Sequence, residues 1–260
     1  MANYPFSIIS VFTSDEYSCK GNTAAIVVLD APFPNHQMQN IAADYNQPAT
    51  TFLWQDEHDQ WHVRWFAPDD EIELCGHGSL AAFAYLQNQK PLSIKYKSGF
   101  IEGHISGQNQ CAMILDPIES NVDDFDPAIA KGLGVDIKGY YENNNKHIVL
   151  VESEEVVKKM QPNFAGLRGC EPFGYVVTAK GSNTDFVSRT IVPKVQQLED
   201  HATGSSHAAL TPFWSDKLGK DKLTGLQLSP RGGFFNCEMI NTKVKLSGQY
   251  KTLVSGKAEI

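Results

Sequence analysis

The chain has 260 residues, 42% of them apolar and 20% charged, with a net charge of −8. That length can bury a sizeable core in one large or two medium domains. The acidic balance leaves no surplus of Lys or Arg to neutralise phosphates, which argues against nucleic acid and anionic membrane as partners.

In chain order, Phe6 to Phe12 is β-branched and aromatic and predicts a strand. Ala24 to Leu29 predicts a second. Asn35 to Tyr45 places Met38, Ile41, Ala42 and Tyr45 at helical spacing. Thr50 to Trp54 and Trp61 to Phe66 read as strands, followed by an acidic loop over Ala67 to Leu74. A helix is expected from Ser79 to Gln89, stopped by Lys90-Pro91. Leu92 to Tyr96, Gly99 to Ile105 and Cys111 to Leu115 are strand-like, and the acidic stretch Asn121 to Pro127 is the expected domain boundary. Beyond it, Ala128 to Leu133 and Glu154 to Met160 predict helices. His147 to Val151, Gly174 to Thr178 and Asp185 to Val192 predict strands. A turn and helix follow from Asp200 to about Leu218, then strands over Thr224 to Leu228, Phe234 to Met239, Lys243 to Leu246 and Lys251 to Val254. Many short strands with one principal helix per half suit an α+β protein.

A glycine-rich turn occurs twice. The first copy is Cys75-Gly76-His77-Gly78-Ser79, and the second is His201-Ala202-Thr203-Gly204-Ser205-Ser206-His207. Their Gly-Ser steps lie 126 positions apart, and Arg64 and Arg189 lie 125 apart, which predicts an internal duplication. A Gly/Ser turn entering a helix leaves backbone N–H groups unpaired, and these bind anions. Gly76, Gly78, Ser79, Thr203, Gly204 and Ser205 are therefore the expected contacts to a small acidic ligand.

Five scattered cysteines (Cys19, Cys75, Cys111, Cys170, Cys237) without a CxxC pair predict reduced thiols. With no basic n-region and apolar h-region at Met1 to Pro5, and no membrane-length apolar run, the expected location is the cytoplasm. His58 and His62 are four apart, yet their surroundings predict a hairpin turn rather than a metal-binding helix. No strand-GxGxxG-helix unit is present, and no cofactor or metal is expected. His207, inside the second helix, reads as a packing or capping residue.

Several blocks in order resemble the phenazine biosynthesis PhzF-like proteins, relatives of diaminopimelate epimerase and proline racemase. They are Gly21-Asn22-Thr23-Ala24-Ala25, Arg64-Trp65-Phe66-Ala67-Pro68 with Glu73-Leu74-Cys75-Gly76-His77, Glu199-Asp200-His201-Ala202-Thr203-Gly204-Ser205, and Ser229-Pro230-Arg231-Gly232-Gly233. The resemblance implies two similar domains, each a β-barrel-like sheet around a central helix, with a ligand between them. The corresponding division is 1–118 and 119–260, the last strand being able to return to the first half. It also implies cofactor-independent isomerase chemistry, in which a proton moves on a small carboxylate-bearing metabolite, and a homodimer. By the same resemblance His77 holds or relays a proton, Asp200 is the second acid, and Gly204 with Ser205 serves the carboxylate.

Two departures bear on mechanism. The family's catalytic glutamate lies in a Ser-Glu-Thr-x-Phe motif, and this chain has Pro48-Ala49-Thr50-Thr51-Phe52. Ala49 cannot accept a proton, which opens the alternative of an inactive small-molecule-binding relative. His201 stands where the family usually has proline. The 126-residue offset pairs Cys75 with His201, and a thiol at a helix start facing an imidazole would make a two-base site without the glutamate.

Overall fold

The computed structural model describes residues 2–260 and divides into two units. The first comprises residues 2–15, 20–115 and 247–260; the second comprises 16–19 and 116–246.

In the first unit, β1 (Asn3–Thr13) pairs antiparallel with β2 (Asn22–Val28). Helix α1 (Asn35–Tyr45) then crosses to β3 (Ala49–Gln55), which lies parallel to β2. The helix buries Met38, Ile41 and Ala42 against Val27, Phe52 and Phe66, the face its sequence spacing predicts. It stops at Asn46, which takes the left-handed conformation at φ 49°. β3 forms a hairpin with β4 (Trp61–Phe66), and β5 (Glu71–Ile72) adds to it. Helix α2 (Gly76–Leu86) follows, then β6 (Leu92–Tyr96), β7 (Gly99–Gly107) and β8 (Gln110–Leu115) as a meander. β4 and β6 are parallel neighbours, and the chain's last strand returns to pair antiparallel with β1. Near the meander the Tyr250 N–H of that strand donates to Asn109 O at 2.8 Å. The strands thus wrap α2, whose residues from Gly76 to Ala84 are all buried. A helix apolar all round needs such an enclosure.

The second unit repeats this order. β9 (Asn121–Val122) and helix α3 (Pro127–Leu133) precede a hairpin of β10 (Gly139–Glu142) and β11 (His147–Leu150). Helices α4 (Glu154–Lys159) and α5 (Phe164–Arg168) cross to β12 (Tyr175–Lys180), parallel to β11. β12 pairs antiparallel with β13 (Phe186–Ile191), whose other edge takes β14 (Glu199–Asp200) at one end and β15 (Lys222–Gln227), parallel, at the other. Helix α6 (Gly204–Leu218) lies between β14 and β15 in the chain, and β16 (Gly233–Ile240) and β17 (Lys243–Glu259) complete it. α3, α4 and α5 pack Ile129, Leu133, Val157 and Leu167 onto Val149, Tyr175, Val177 and Ile191.

Several expectations change. The first central helix starts at Gly76 rather than Ser79, because Cys75 caps it. The two expected C-terminal strands are one 17-residue strand that runs through Gly248, and Gly256 keeps its place opposite Phe6 in the pairing with β1. The five-residue α5 carries too little periodicity to be read from sequence. The hairpin expected around His58 and His62 is present: His58 lies in the β3–β4 turn and His62 in β4, its Nε2 2.9 Å from Asp56 Oδ2.

Candidate active site

In the first unit the site residues lie at the start of α2. Cys75 is the cap, and its Sγ accepts the Gly78 N–H at 3.4 Å. The His77 ring nitrogens lie 3.5 Å (Nδ1) and 3.8 Å (Nε2) from the same sulfur, and both residues are buried. One sulfur therefore meets a helix N-terminal amide and an imidazole, groups that stabilise negative charge on it and can exchange a proton with it. Gly78 has a packing reason. A Cβ there would come within 2.7 Å of Trp65 Cδ1, 3.0 Å of Thr51 Oγ1 and 3.1 Å of Cys75 Sγ. Ser79 is turned to the helix itself, since its hydroxyl donates to Cys75 O at 2.6 Å. Ala49 opens β3, fully buried and opposite Ala24, and its neighbour Thr50 has a buried hydroxyl oxygen with no hydrogen-bond partner.

In the second unit α6 starts after Thr203, whose side chain makes no cap. The Thr203 hydroxyl donates instead to Asp200 Oδ2 at 2.7 Å, and its N–H donates to Gln227 Oε1 at 2.9 Å. Gln227 also donates to Asp200 O at 2.6 Å, so a fully buried amide fixes both ends of the turn. Lys146 Nζ donates to Ser205 Oγ at 3.0 Å and to Asn145 Oδ1 at 2.6 Å. His201 is half-buried. Its Nδ1 is buried without a hydrogen-bond partner, and burial pushes its pKa below the usual histidine value against the opposing pull of the Asp200 carboxylate. That keeps the ring neutral near pH 7 and able to accept a proton. His207 is fully enclosed, stacked on Phe235 with ring centroids 3.4 Å apart and held to Thr203 O at 2.9 Å. Burial lowers its pKa to about 3, so it is a neutral packing residue, as its place inside the helix predicts.

The offset is corrected by the helix starts. Gly76 and Gly204 both open their helices, 128 positions apart, so the counterpart of Cys75 is Thr203 and not His201. Matching the two Gly-Ser steps misled the alignment, because Gly78 is the third helical residue and Gly204 the first. Asp200 corresponds to Ile72 by its place in β14, opposite Thr190 as Ile72 is opposite Trp65. Sequence reasoning missed Lys146 and Gln227. The run Asn143-Asn144-Asn145-Lys146 signals only a turn, and Gln227 sits in an ordinary strand pattern. Among the described residues no cluster of three or more His, Cys, Asp or Glu could hold a metal ion, and no helix is long and apolar enough to cross a membrane.

The wrapped-helix fold recurs in solved structures of PhzF-family proteins. A solved PhzF-family structure from Enterococcus faecalis matches it with a TM-score of 0.90 at 33% identity, covering 100% of both chains. One from Clostridium difficile gives 0.89 at 36% identity, covering 99% of this chain and 100% of that one. A probable proline racemase from Agrobacterium radiobacter shares the fold alone, with a TM-score of 0.66 and 10% identity over 99% of this chain and 92% of that one. By sequence, an uncharacterized isomerase of Halalkalibacterium halodurans is 32% identical over 98% of each chain. The profile of the phenazine biosynthesis-like proteins, PhzC-PhzF, matches residues 9–260, and the chain belongs to that family.

Proposed function

We propose that the protein is a cofactor-independent isomerase that moves a proton on a small carboxylate-bearing metabolite, with Cys75 and His77 taking over proton transfer where the family's glutamate is Ala49. The observation that carries this reading is the thiol–imidazole pair at the start of α2, 3.5 Å apart and buried. Sulfur and imidazole can each hold the proton, so abstraction and return need no carboxylate at position 49. Asp200 and His201, beside the start of α6, are the second proton-handling groups. Gly76, Gly204 and Ser205 serve the substrate carboxylate. A homodimer and a cytoplasmic setting are part of the same proposal.

A second reading keeps the ligand and discards the chemistry. Ala49 favours it, because a fully buried methyl group stands where a base is expected. Solvent hydrogen exchange separates the two. The protein is incubated in deuterated water with a panel of amino, hydroxy and unsaturated carboxylic acids, and deuterium at carbon is followed by NMR. Exchange that falls by about 10²-fold or more in Cys75→Ala and His77→Asn supports the isomerase. Saturable binding with no exchange across the panel selects the binding protein.

A further inference from the structure

We infer that Gln227 is a positioning residue for Asp200: through the Thr203 hydroxyl it commits Oδ2 of that carboxylate to accepting a hydrogen bond, which makes Oδ1 the oxygen that takes up and returns a proton. The inference rests on the proton-handling role proposed for Asp200 and names what orients it.

The directions of the hydrogen bonds are forced. Gln227 is fully buried in β15, and Thr203 is buried just before α6. Gln227 Oε1 accepts from the Thr203 backbone N–H at 2.9 Å, and its Nε2 donates to the Asp200 backbone O at 2.6 Å. Turning the amide over would set N–H against N–H and carbonyl against carbonyl, so its orientation has one solution. The second Nε2 proton is then directed at Thr203 Oγ1, 3.1 Å away. With that oxygen accepting from the amide, the hydroxyl proton goes to Asp200 Oδ2 at 2.7 Å, a charge-assisted bond. Protonating Oδ2 would make it a weak acceptor and forfeit that bond, so proton uptake falls to Oδ1.

The fold does not require this chain of bonds, because the first unit builds the same stations without it. Asp200 corresponds to Ile72 and Thr203 to Cys75. Gln227 lies beside Ser188, one residue before Arg189. Val63 precedes Arg64 in the same way, and the register that sets His62 beside Lys95 brings Tyr96 next to Val63. Carboxylate, hydroxyl and amide in one unit thus stand where the other has Ile72, Cys75 and Tyr96, and Tyr96 packs its ring on Trp65 instead. A buried amide that the fold can do without is accounted for by what it fixes: the Thr203 hydroxyl and, through it, the Asp200 carboxylate.

The test follows the side-chain carboxyl carbons of the full-length protein by NMR after labelling its aspartates with carbon-13. Asp200→Asn identifies the Asp200 resonance by its loss. Gln227→Met should move that resonance further than any other aspartate's, and Thr203→Val should do the same. The double variant should move it no further than Thr203→Val alone, because both changes act through one hydroxyl. Thr203→Ser, which keeps the hydroxyl, should move it less than half as far as Thr203→Val. If Gln227→Met does not fold, the comparison of Thr203→Val with Thr203→Ser carries the test. In the carbon-exchange assay, Gln227→Met should lower kcat by about tenfold with KM changed by less than about twofold. The same change added to Asp200→Asn should cost nothing more. An unmoved Asp200 resonance in Thr203→Val or Gln227→Met, additive shifts in the double variant, or a loss confined to KM overturns the inference. A moved resonance with exchange untouched by Gln227→Met overturns it as well. A wild type that exchanges nothing on any acid refutes the isomerase reading, and with it the proton role of Oδ1. The resonances then decide separately whether Gln227 governs the Asp200 carboxylate.

Discussion

Cys75 and Thr203 hold the same station in the two units. Each precedes a helix-opening glycine with nearly one backbone conformation, φ −114° and ψ 104° against φ −113° and ψ 105°. The backbone is duplicated and the side chains have diverged. Cys75 turns its sulfur inward to cap its own helix, and Thr203 turns away to Asp200. One helix start is therefore capped by its own side chain, and the other is not.

The capping role makes Cys75 the thiol to examine first. Burial pushes Cys19 up to about 11 and Cys237 to about 12, and raises Cys111 further, so these three carry little thiolate at neutral pH. A small reagent, methyl methanethiosulfonate, should modify Cys75 before Cys19, Cys111 and Cys237, as read by peptide mass mapping over time. His77→Asn should slow the Cys75 reaction. Modification of the other three at equal rates contradicts a distinct environment for Cys75.

The same duplication appears in two arginines. Arg64 binds Glu71 through both carboxylate oxygens at 2.7 Å, and Arg189 binds Glu199 likewise at 2.7 and 2.8 Å. Arg189 is the more enclosed and also donates to Met160 O at 2.8 Å. Arg189→Met should therefore lower stability by about 3 kcal/mol, because it leaves Glu199 sequestered without its partner. Arg64→Met, at the better-solvated pair, should cost about 1 kcal/mol. Denaturant midpoints for the two variants check the order, and the reverse order contradicts it.

These arginines show what the sequence makes legible and where it stops. Both are visible as a repeat because strand residues facing one structural partner keep their identity. The register beyond them was misread because Glu71 and Glu199 are 128 apart while the arginines are 125 apart. Three residues more separate β13 from β14 than β4 from β5, and surface loops tolerate such insertions at little cost. Helix α1 was legible in full because its amphipathic pattern and left-handed Asn46 stop are both local. Lys146 was not, since its contact with Ser205 spans 59 residues and no local pattern records it.

His207 sets an acid sensitivity. Its folded pKa of about 3 lies below the ordinary histidine value, so the unfolded chain binds this proton first as pH falls. Its contribution is constant above about pH 6.5 and is lost as pH drops from there toward 3, at up to about 1.4 kcal/mol per pH unit. His207→Phe removes that proton. The stability difference between wild type and variant should then shift in the variant's favour as pH falls from 7 to 4, measured by denaturant unfolding at each pH. A difference that stays flat across that interval contradicts a neutral, enclosed His207.

Gly78 tests whether the packing beside Cys75 is as tight as its neighbours imply. Gly78→Ala puts a methyl 2.7 Å from Trp65 Cδ1, and Trp65 is itself 1% exposed. Overpacking of this kind costs about 1–3 kcal/mol. The thermal midpoint should fall and Cys75 should become more reactive as the helix start is displaced. An unchanged midpoint means the indole can yield.

Ala49→Glu asks whether only the base is missing. Position 49 is fully buried, so a carboxylate there has two opposing effects. Its burial and bulk should lower stability by about 2–4 kcal/mol. The same burial raises the carboxyl pKa toward neutrality, where a general base works best. Carbon-bound hydrogen exchange on a responsive acid should rise by about 10²-fold over the wild type. It should also persist when Cys75→Ala is added, since the carboxylate then replaces the thiol. A folded Ala49→Glu protein with no gain on any acid of the panel means that position 49 does not face the substrate carbon.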